Sequence, residues 1–271
     1  MGAHLSWWRW LPRAALLGVL AFLVFGPLLN LLLWAFAERW YFPNKLPSEF
    51  GLQFWGRVFA PRGNAMASLG NSLSIAVATV CLCTALALPA GFALARLRLP
   101  FRALFLLAFL LPQAFPNLPV YINIARIFYG LGLNGTMLGV VLVHTVHGLV
   151  FSVWITTAAF ASVDRQLEEA ARNIGAGPLR CFLTITLPLA APGIFASAVF
   201  VFLESLDEFT GTYFVGVPDV VTLPLLMFNA SMGGNYQIAS ITALILLIPS
   251  IGFMLVIERF LKGDVMAKVG G

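Results

Sequence analysis

The sequence predicts an all-α integral membrane protein with six transmembrane helices, because it is apolar overall and its apolar residues form long uncharged runs. Hydrophobic residues make up 60% of the chain and charged residues only 10%, whereas soluble domains carry roughly a quarter charged residues. A membrane span needs about 20 mainly apolar residues. Since lipid offers the backbone no hydrogen-bond partners, runs of this length are expected to be helices.

Charges, prolines and glycines bound six such runs. They place the spans near residues 14–36, 68–95, 104–128, 137–161, 190–213 and 237–258. The first run exceeds the roughly 7–15 residues of a signal-peptide core, so it is predicted to be a retained span. The third contains Pro112, Pro116 and Pro119, which predicts a kinked or partly unwound helix. Such a helix is expected to face protein rather than lipid, because its freed carbonyls need partners.

The basic residues predict the orientation of these spans. An even span count puts both termini on one side, and that side collects eleven basic residues: Arg9, Arg13, Arg96, Arg98, Arg102, Arg165, Arg172, Arg180, Arg259, Lys262 and Lys268. The opposite side has four, all in the loop over residues 37–66: Arg39, Lys45, Arg57 and Arg62. Because basic residues favour the cytoplasmic side, both termini are predicted to be cytoplasmic.

A polar stretch over residues 164–188, here called the elbow, separates predicted spans four and five. Asp164 suits a helix N-cap. One face of the following helix is apolar, with Leu167, Ala170, Ala171 and Ile174, and the other polar, with Glu168, Glu169, Arg172 and Asn173. Gly175 and Gly177 are placed to end this helix, and Pro178 to begin a second that stops at Pro188. The local pattern leaves two interpretations open, a docking surface for a partner or an amphipathic loop on the lipid surface.

The elbow also matches a family motif at every defined position. The matching residues are Glu169, Ala170, Ala171, Gly175, Ile185, Leu187 and Pro188. In this the chain resembles permease subunits of type I binding-protein-dependent ABC importers, which have the MetI-like fold, over roughly residues 67–260. The resemblance implies that the elbow couples to an ATP-binding subunit. The contact residues implied are Glu169, Ala170, Ala171 and Gly175, with Leu179 and Phe182 of the second helix.

The resemblance also implies a location in a bacterial inner membrane, a division of the chain and a set of partners. Residues 1–66 would hold an N-terminal cytoplasmic segment, the first span and a periplasmic loop. Residues 67–260 would form the permease core, and 261–271 a cytoplasmic tail. The implied partners are a second permease subunit, two ATP-binding cassette subunits and a periplasmic solute-binding protein.

The sequence gives no sign of catalysis in this chain. It lacks the G-x-x-x-x-G-K-[ST] phosphate loop, so ATP and Mg²⁺ are expected to be used by a separate subunit and this chain is predicted not to be an enzyme. The three cysteines and three histidines show no metal-ligand spacing. The basic residues are scattered at span ends, which argues against nucleic acid. No bound cofactor or metal is predicted.

An acidic cluster in predicted span five is a candidate for the solute pathway. Glu204, Asp207 and Glu208 are spaced i, i+3, i+4 and so are expected to share one helix face. Ionised groups inside a membrane are costly and point to function, which favours an outer gate that attracts a cationic solute, with Phe209 beside it. The alternative is that span five ends early and the cluster lies at the outer edge. His144 in span four is either a pathway residue or a hydrogen-bonded packing residue.

The solute class stays open at this stage. The Asp207–Phe209 element and the Gly139–His144 run resemble permeases of the polyamine type, which favours a small amine such as putrescine or spermidine. Related patterns occur in permeases for sugars, aminoalkylphosphonates, iron and thiamine, and the proline-rich Leu111–Pro119 stretch leans toward the carbohydrate type. A more distant alternative is an ion-coupled secondary transporter, which would need more intramembrane ionisable residues than this chain offers.

Overall fold

The computed structural model describes the backbone of residues 11–41 and 43–269, and side chains over 12–41 and 43–255. Residues 1–10, where most of the predicted N-terminal cytoplasmic segment falls, lie outside the described residues. The side chains of the predicted tail over 261–271 also lie outside them.

The described residues include five helices that are long and apolar enough to cross a membrane. These helices are Pro12–Phe36, Ala65–Arg96, Met137–Ala161, Pro178–Asp207 and Tyr236–Leu255. Two further helices, Arg102–Ala114 and Asn117–Gly130, are bent by 96° where they join and together make a sixth candidate span. The predicted fold class, all-α with six spans, is confirmed.

The first of two compact units comprises the chain up to Asn64 together with Met227–Leu244. Helix α1 (Leu11–Phe36) leads into a two-stranded antiparallel sheet, β1 (Ala37–Arg39) and β2 (Glu49–Phe50), closed by an exposed Arg39–Glu49 ion pair of 2.9 Å. Helix α2 (Gln53–Phe59) and a 3₁₀ turn (Pro61–Gly63) follow. Trp55 Nε1 donates a 2.8 Å hydrogen bond to the Ala35 carbonyl, which ties α2 to the end of α1.

The second unit comprises Ala65–Leu226 and the chain from Ile245. Its helices are α3 (Ala65–Arg96), α4 (Arg102–Ala114), α5 (Asn117–Gly130), α6 (Met137–Ala161), α7 (Arg165–Asn173), α8 (Pro178–Cys181), α9 (Leu187–Asp207) and α10 (Thr210–Val215). Two further helices, α11 (Leu223–Met232) and α12 (Tyr236–Val269), have residues in both units. Helices α3, α6 and α9 pack on one another. Small residues permit this, since Gly91 of α3 lies against Thr156 of α6 and Gly193 of α9 against Ala159.

The predicted kink in the third span is confirmed. Helix α4 ends at Ala114, Phe115 and Pro116 are extended, and α5 begins at Asn117. Proline removes a backbone donor and excludes the preceding residue from helical geometry, which accounts for the break. Few residues of the broken span are buried within this chain. All residues of α4 are described and none of them is buried, and Tyr121 is the one buried residue of α5.

The fifth span differs from its prediction at both ends. Pro188 was expected to stop the second elbow helix, but a π-helical turn over Phe182–Thr186 joins α8 to α9 without interruption. The Leu187 N–H bonds to the Phe182 carbonyl, and this wider turn makes room for the proline ring. The predicted end at residue 213 is also wrong, because α9 stops at Asp207 and α10 starts only at Thr210. Helix α12 extends beyond the predicted residue 258, to Val269.

Candidate functional site

The elbow has the helix cap, the glycine turn and the proline helix start that the sequence predicted. The Asp164 side chain caps α7 by accepting a 2.9 Å hydrogen bond from the Gln166 N–H. At the other end Gly175 adopts φ +90°, a conformation that glycine takes without a Cβ penalty. Pro178 is then the first residue of α8. The helix–turn–helix prediction for this segment is confirmed.

The two faces of α7 are placed in a way that the sequence did not predict. Two members of its apolar face point outward, with Leu167 47% and Ile174 88% exposed. The buried residues of this helix are instead Ala171 and one glutamate of its polar face, Glu168. The helix therefore packs on the membrane bundle through a carboxylate and presents apolar side chains outward.

Four of the six predicted coupling residues lie on the exposed side of the elbow. These are Glu169, Ala170, Gly175 and Leu179. The other two point inward. Ala171 is buried, and the half-buried Phe182 packs edge-on against Phe92 with a ring-centroid distance of 5.0 Å, in a cluster that also contains Phe160. The elbow thus has an outer surface that a partner can reach and an inner surface that anchors it.

The inner anchor is centred on the carboxylate of Glu168. Its Oε1 lies 3.0 Å from Arg96 Nη2 at the end of α3, in an ion pair whose side chains are only 7% and 11% exposed. The same oxygen accepts a 2.9 Å hydrogen bond from the hydroxyl of Thr186 in the π turn. Arg96 Nη2 also donates to the Val163 carbonyl, 2.7 Å away, just after α6.

Neither Arg96 nor Glu168 was a predicted site residue. Arg96 was interpreted only as a topology signal, and its position at the end of a long uncharged run was the available clue.

A groove of about 860 Å³ opens beside this anchor. Its walls come from the end of α3 and from both elbow helices, and its lining includes the predicted coupling residues Glu169, Leu179 and Phe182. Arg165 and Arg172 add positive charge to a mainly apolar surface. Because Glu169 also lines the groove, such a surface suits a partner that inserts an apolar side chain and offers charges of both signs.

The acidic cluster does not share one helix face. Glu204 and Asp207 lie on α9, but Glu208 is extended (φ −74°, ψ 113°) just beyond its end. Each carboxylate oxygen of Glu208 accepts a 2.7 Å hydrogen bond, one from the Tyr121 hydroxyl and one from the Gly211 N–H. Glu208 thus caps α10, whereas Glu204 is half-buried and Asp207 exposed. The spacing argument failed because it assumed that the helix continued through residue 208. Phe209, beside the cluster, directly precedes α10.

Two buried histidines of α6 belong to hydrogen-bonded sets with neighbouring helices. His144 Nδ1 lies 2.8 Å from Ser205 Oγ, and its Nε2 lies 2.9 Å from Thr212 Oγ1. His147 Nδ1 lies 2.9 Å from the Tyr121 hydroxyl. Since that hydroxyl gives its one proton to Glu208, His147 Nδ1 carries the proton in their contact. Both ring nitrogens of His144 have hydrogen-bond partners, an arrangement typical of a residue that packs between helices.

Tyr121→Phe should destabilise the protein. The hydroxyl serves both Glu208 and His147 in a buried position, and leaving buried polar partners unsatisfied costs about 1–3 kcal/mol. The measurement is the thermal unfolding midpoint of the detergent-purified protein. Tyr129→Phe is the matched control, because Tyr129 is 80% exposed. Equal midpoints for the two variants would contradict the assigned network.

A bundle of helices long and apolar enough to cross a membrane, joined by an exposed elbow that turns at Gly175, defines a multi-pass membrane protein. The family described as the binding-protein-dependent transport system inner membrane component matches residues 87–263. The chain therefore belongs to this family and is a permease subunit of an ABC importer. It is not itself an enzyme, since ATP hydrolysis resides in a separate subunit. The family implies ATPase subunits and a substrate-binding protein as partners.

The relatives of this chain are named for different solutes. The chain is 31% identical over 227 residues to the osmoprotective compounds uptake permease protein GgtD of Synechocystis sp., covering 82% of this chain and 76% of that one. It is 29% identical to the trehalose transport system permease protein SugB of Mycobacterium tuberculosis (91% and 94% covered). It is also 29% identical to the putrescine transport system permease protein PotI of Escherichia coli (82% and 81%). Family membership therefore leaves the solute unassigned.

The fold is also found in a solved transporter. A chain from a bacterial ABC transporter involved in the import of the acidic polysaccharide alginate superposes with a TM-score of 0.69 at 19% identity, covering 96% of this chain and 99% of that one. Identity this low supports the shared fold alone.

Proposed function

We propose that this chain forms half of the solute pathway of an inner-membrane importer. It would pair with a second permease subunit, lie above two ATP-binding subunits and receive solute from a periplasmic binding protein. Both termini and the elbow face the cytoplasm in this arrangement. The single observation that supports it best is the elbow: Glu169, Ala170, Gly175 and Leu179 lie together on an exposed surface held by a buried anchor.

The second permease subunit has a natural place on the broken third span. Helix α4 buries none of its residues in this chain, and it exposes large apolar side chains such as Leu104, Leu107 and Leu111. A proline-broken span needs protein or water around its freed backbone groups. Packing against a second permease would supply that environment.

The test is a native purification of the tagged chain in mild detergent, with mass spectrometry of whatever is retained. We expect an ATP-binding subunit and a second permease, with a distinct chain or a second copy in the latter role. Recovery of the chain alone across several mild detergents would refute the proposed assembly. It would favour the alternative that the chain is an ion-coupled secondary transporter.

For the solute we propose a small amine such as putrescine or spermidine. Glu204 is half-buried on α9 with Asp207 one turn away, so the pathway would offer negative charge to a cation. The putrescine permease among the relatives agrees with this assignment. A sugar is the second candidate, favoured by the trehalose permease relative; an aminoalkylphosphonate, iron or thiamine fits the same subunit role.

Glu204→Gln should lower the uptake of radiolabelled putrescine into proteoliposomes about tenfold, as expected when a charge interaction worth about 1.4 kcal/mol is lost. The control is Glu49→Gln, which neutralises an exposed glutamate in the loop over residues 37–66. Unchanged putrescine uptake by the Glu204 variant, or no putrescine uptake by the unaltered importer, would reject the amine assignment. Uptake of labelled trehalose instead would establish the sugar.

A further inference from the structure

Two ion pairs form among the described residues, and they differ sharply in environment. Arg39 and Glu49 pair at the surface, with side chains 65% and 49% exposed. Arg96 and Glu168 pair in the interior, at 7% and 11%. An exposed pair contributes little to stability, whereas a buried pair must overcome the loss of hydration of both charges. The buried pair therefore needs an explanation that the surface pair does not.

The buried pair lies where three membrane helices meet the elbow. Arg96 is the last residue of α3, and Glu168 lies in the first turn of α7. Thr186, which donates to Glu168, is the last residue of the π turn that leads into α9, and the Val163 carbonyl that Arg96 binds follows α6. One carboxylate and one guanidinium thus connect the elbow to the ends of α3, α6 and α9.

Few apolar contacts hold α7 in place. Ala171 is its one buried apolar residue within the described chain, while Leu167 and Ile174 point outward. Arg165 adds a weak hydrogen bond of 3.4 Å to the Ala95 carbonyl. The polar contacts of Glu168 therefore provide most of the connection between α7 and the bundle.

Stability alone does not require this arrangement. Buried ion pairs can often be replaced by apolar residues of similar size without loss of stability. Moreover, Arg96 Nε is buried and lacks a hydrogen-bond partner among the described residues. An ion pair that also makes hydrogen bonds fixes the orientation of the two joined segments relative to each other, because the distance and angle of each bond are restricted.

We propose that Glu168 and Arg96 are positioning residues that transmit movement of the elbow to α3, α6 and α9. The proposal rests on the coupling function proposed above for the elbow. When a bound ATP-binding subunit displaces the exposed surface of α7, the pair pulls the helix ends with it. The role proposed for the two residues needs no contact with solute or ATP.

The test follows movement rather than uptake, so it needs no identified solute. Spin labels are placed on a background in which Cys81, Cys83 and Cys181 are replaced by alanine. One label at Ile174, 88% exposed, is paired with a label on the ATP-binding subunit to report the elbow. A second pair at Met66 and Tyr129, both exposed, reports the ends of α3 and α5 remote from the elbow. Distances are recorded with and without ATP and vanadate.

In the unaltered importer both distances should change on trapping with vanadate. In Glu168→Gln the elbow distance should still change, but the population with the shifted Met66–Tyr129 distance should fall about tenfold, within the usual range of coupling between sites. Arg96→Lys, which keeps the charge, should restore part of that population relative to Arg96→Gln. Glu49→Gln, which breaks the exposed pair, should behave like the unaltered chain.

The outcomes separate the two proposals. If no ATP-binding subunit joins the unaltered chain, the coupling function itself fails. If it joins and Glu168→Gln shows the full Met66–Tyr129 change, only the positioning proposal is overturned. If Glu168→Gln does not assemble with the ATP-binding subunit, the double variant Glu168→Met, Arg96→Leu is measured instead. An assembled double variant without the Met66–Tyr129 distance change supports the proposal, and one with the full change overturns it.

Discussion

Gly91→Leu should leave little correctly folded permease. Gly91 lies at a close approach of α3 and α6: a Cβ there would be 2.9 Å from Thr156 Cγ2 and 3.0 Å from the Thr157 backbone nitrogen. The second contact cannot be relieved by rotating a side chain, so the helices must separate. Overpacking of this kind costs about 1–3 kcal/mol and occasionally more. Gly193 of α9 and Gly148 of α6 lie in similarly close contacts, so a displacement at Gly91 would disturb the whole α3, α6 and α9 core.

The measurement is the fraction of membrane-extracted protein that elutes as a single species, together with its thermal unfolding midpoint. Gly70→Leu is a matched control on the same helix, since a Cβ at Gly70 meets nothing within 4 Å. We expect the control to match the unaltered chain in both measurements. A Gly91 variant as abundant and as heat-stable as the control would show that α3 and α6 do not pack as described.

Glu169→Lys should abolish solute uptake by the assembled importer. Glu169 is exposed on the elbow next to the buried Glu168, and it is one of the residues that line the groove beside α3. A partner that pairs with this carboxylate would meet a like charge in the variant, and such a juxtaposition costs several kcal/mol. Because the residue is exposed, folding of the permease should not change.

The measurement has two parts, co-purification of the ATP-binding subunit and the ATP hydrolysis that the solute-loaded binding protein stimulates. We expect both to fall by more than about tenfold, the factor that corresponds to 1.4 kcal/mol. Glu49→Lys reverses the charge of an exposed glutamate in the loop over residues 37–66 and should leave both unchanged. Retained ATP-driven uptake in the Glu169 variant would count against the coupling assignment.

Local chemistry accounts for the features that the sequence predicted. The fourth span was predicted over residues 137–161 and occupies Met137–Ala161, because its limits follow from the length of one apolar run. The break at Phe115–Pro116 follows from proline geometry, and the turn at Gly175 from the freedom of glycine at positive φ. Each of these depends on residues that are adjacent in the chain. The predicted division at residues 66 and 67 stays a prediction, as does the absence of a bound cofactor or metal.

The tertiary structure decided which polar residues have partners. Glu168 and Glu169 are neighbours of the same type, yet one is buried against Arg96 and the other exposed. Helical periodicity separates the two faces of α7 but cannot say which face meets the bundle, because that depends on Arg96 at the distant end of α3. Likewise, Glu208 leaves the α9 face because Tyr121 and Gly211 bind its carboxylate. The sequence alone determined the spans, the break and the elbow, whereas contacts between distant segments determined the anchor and the end of the fifth span.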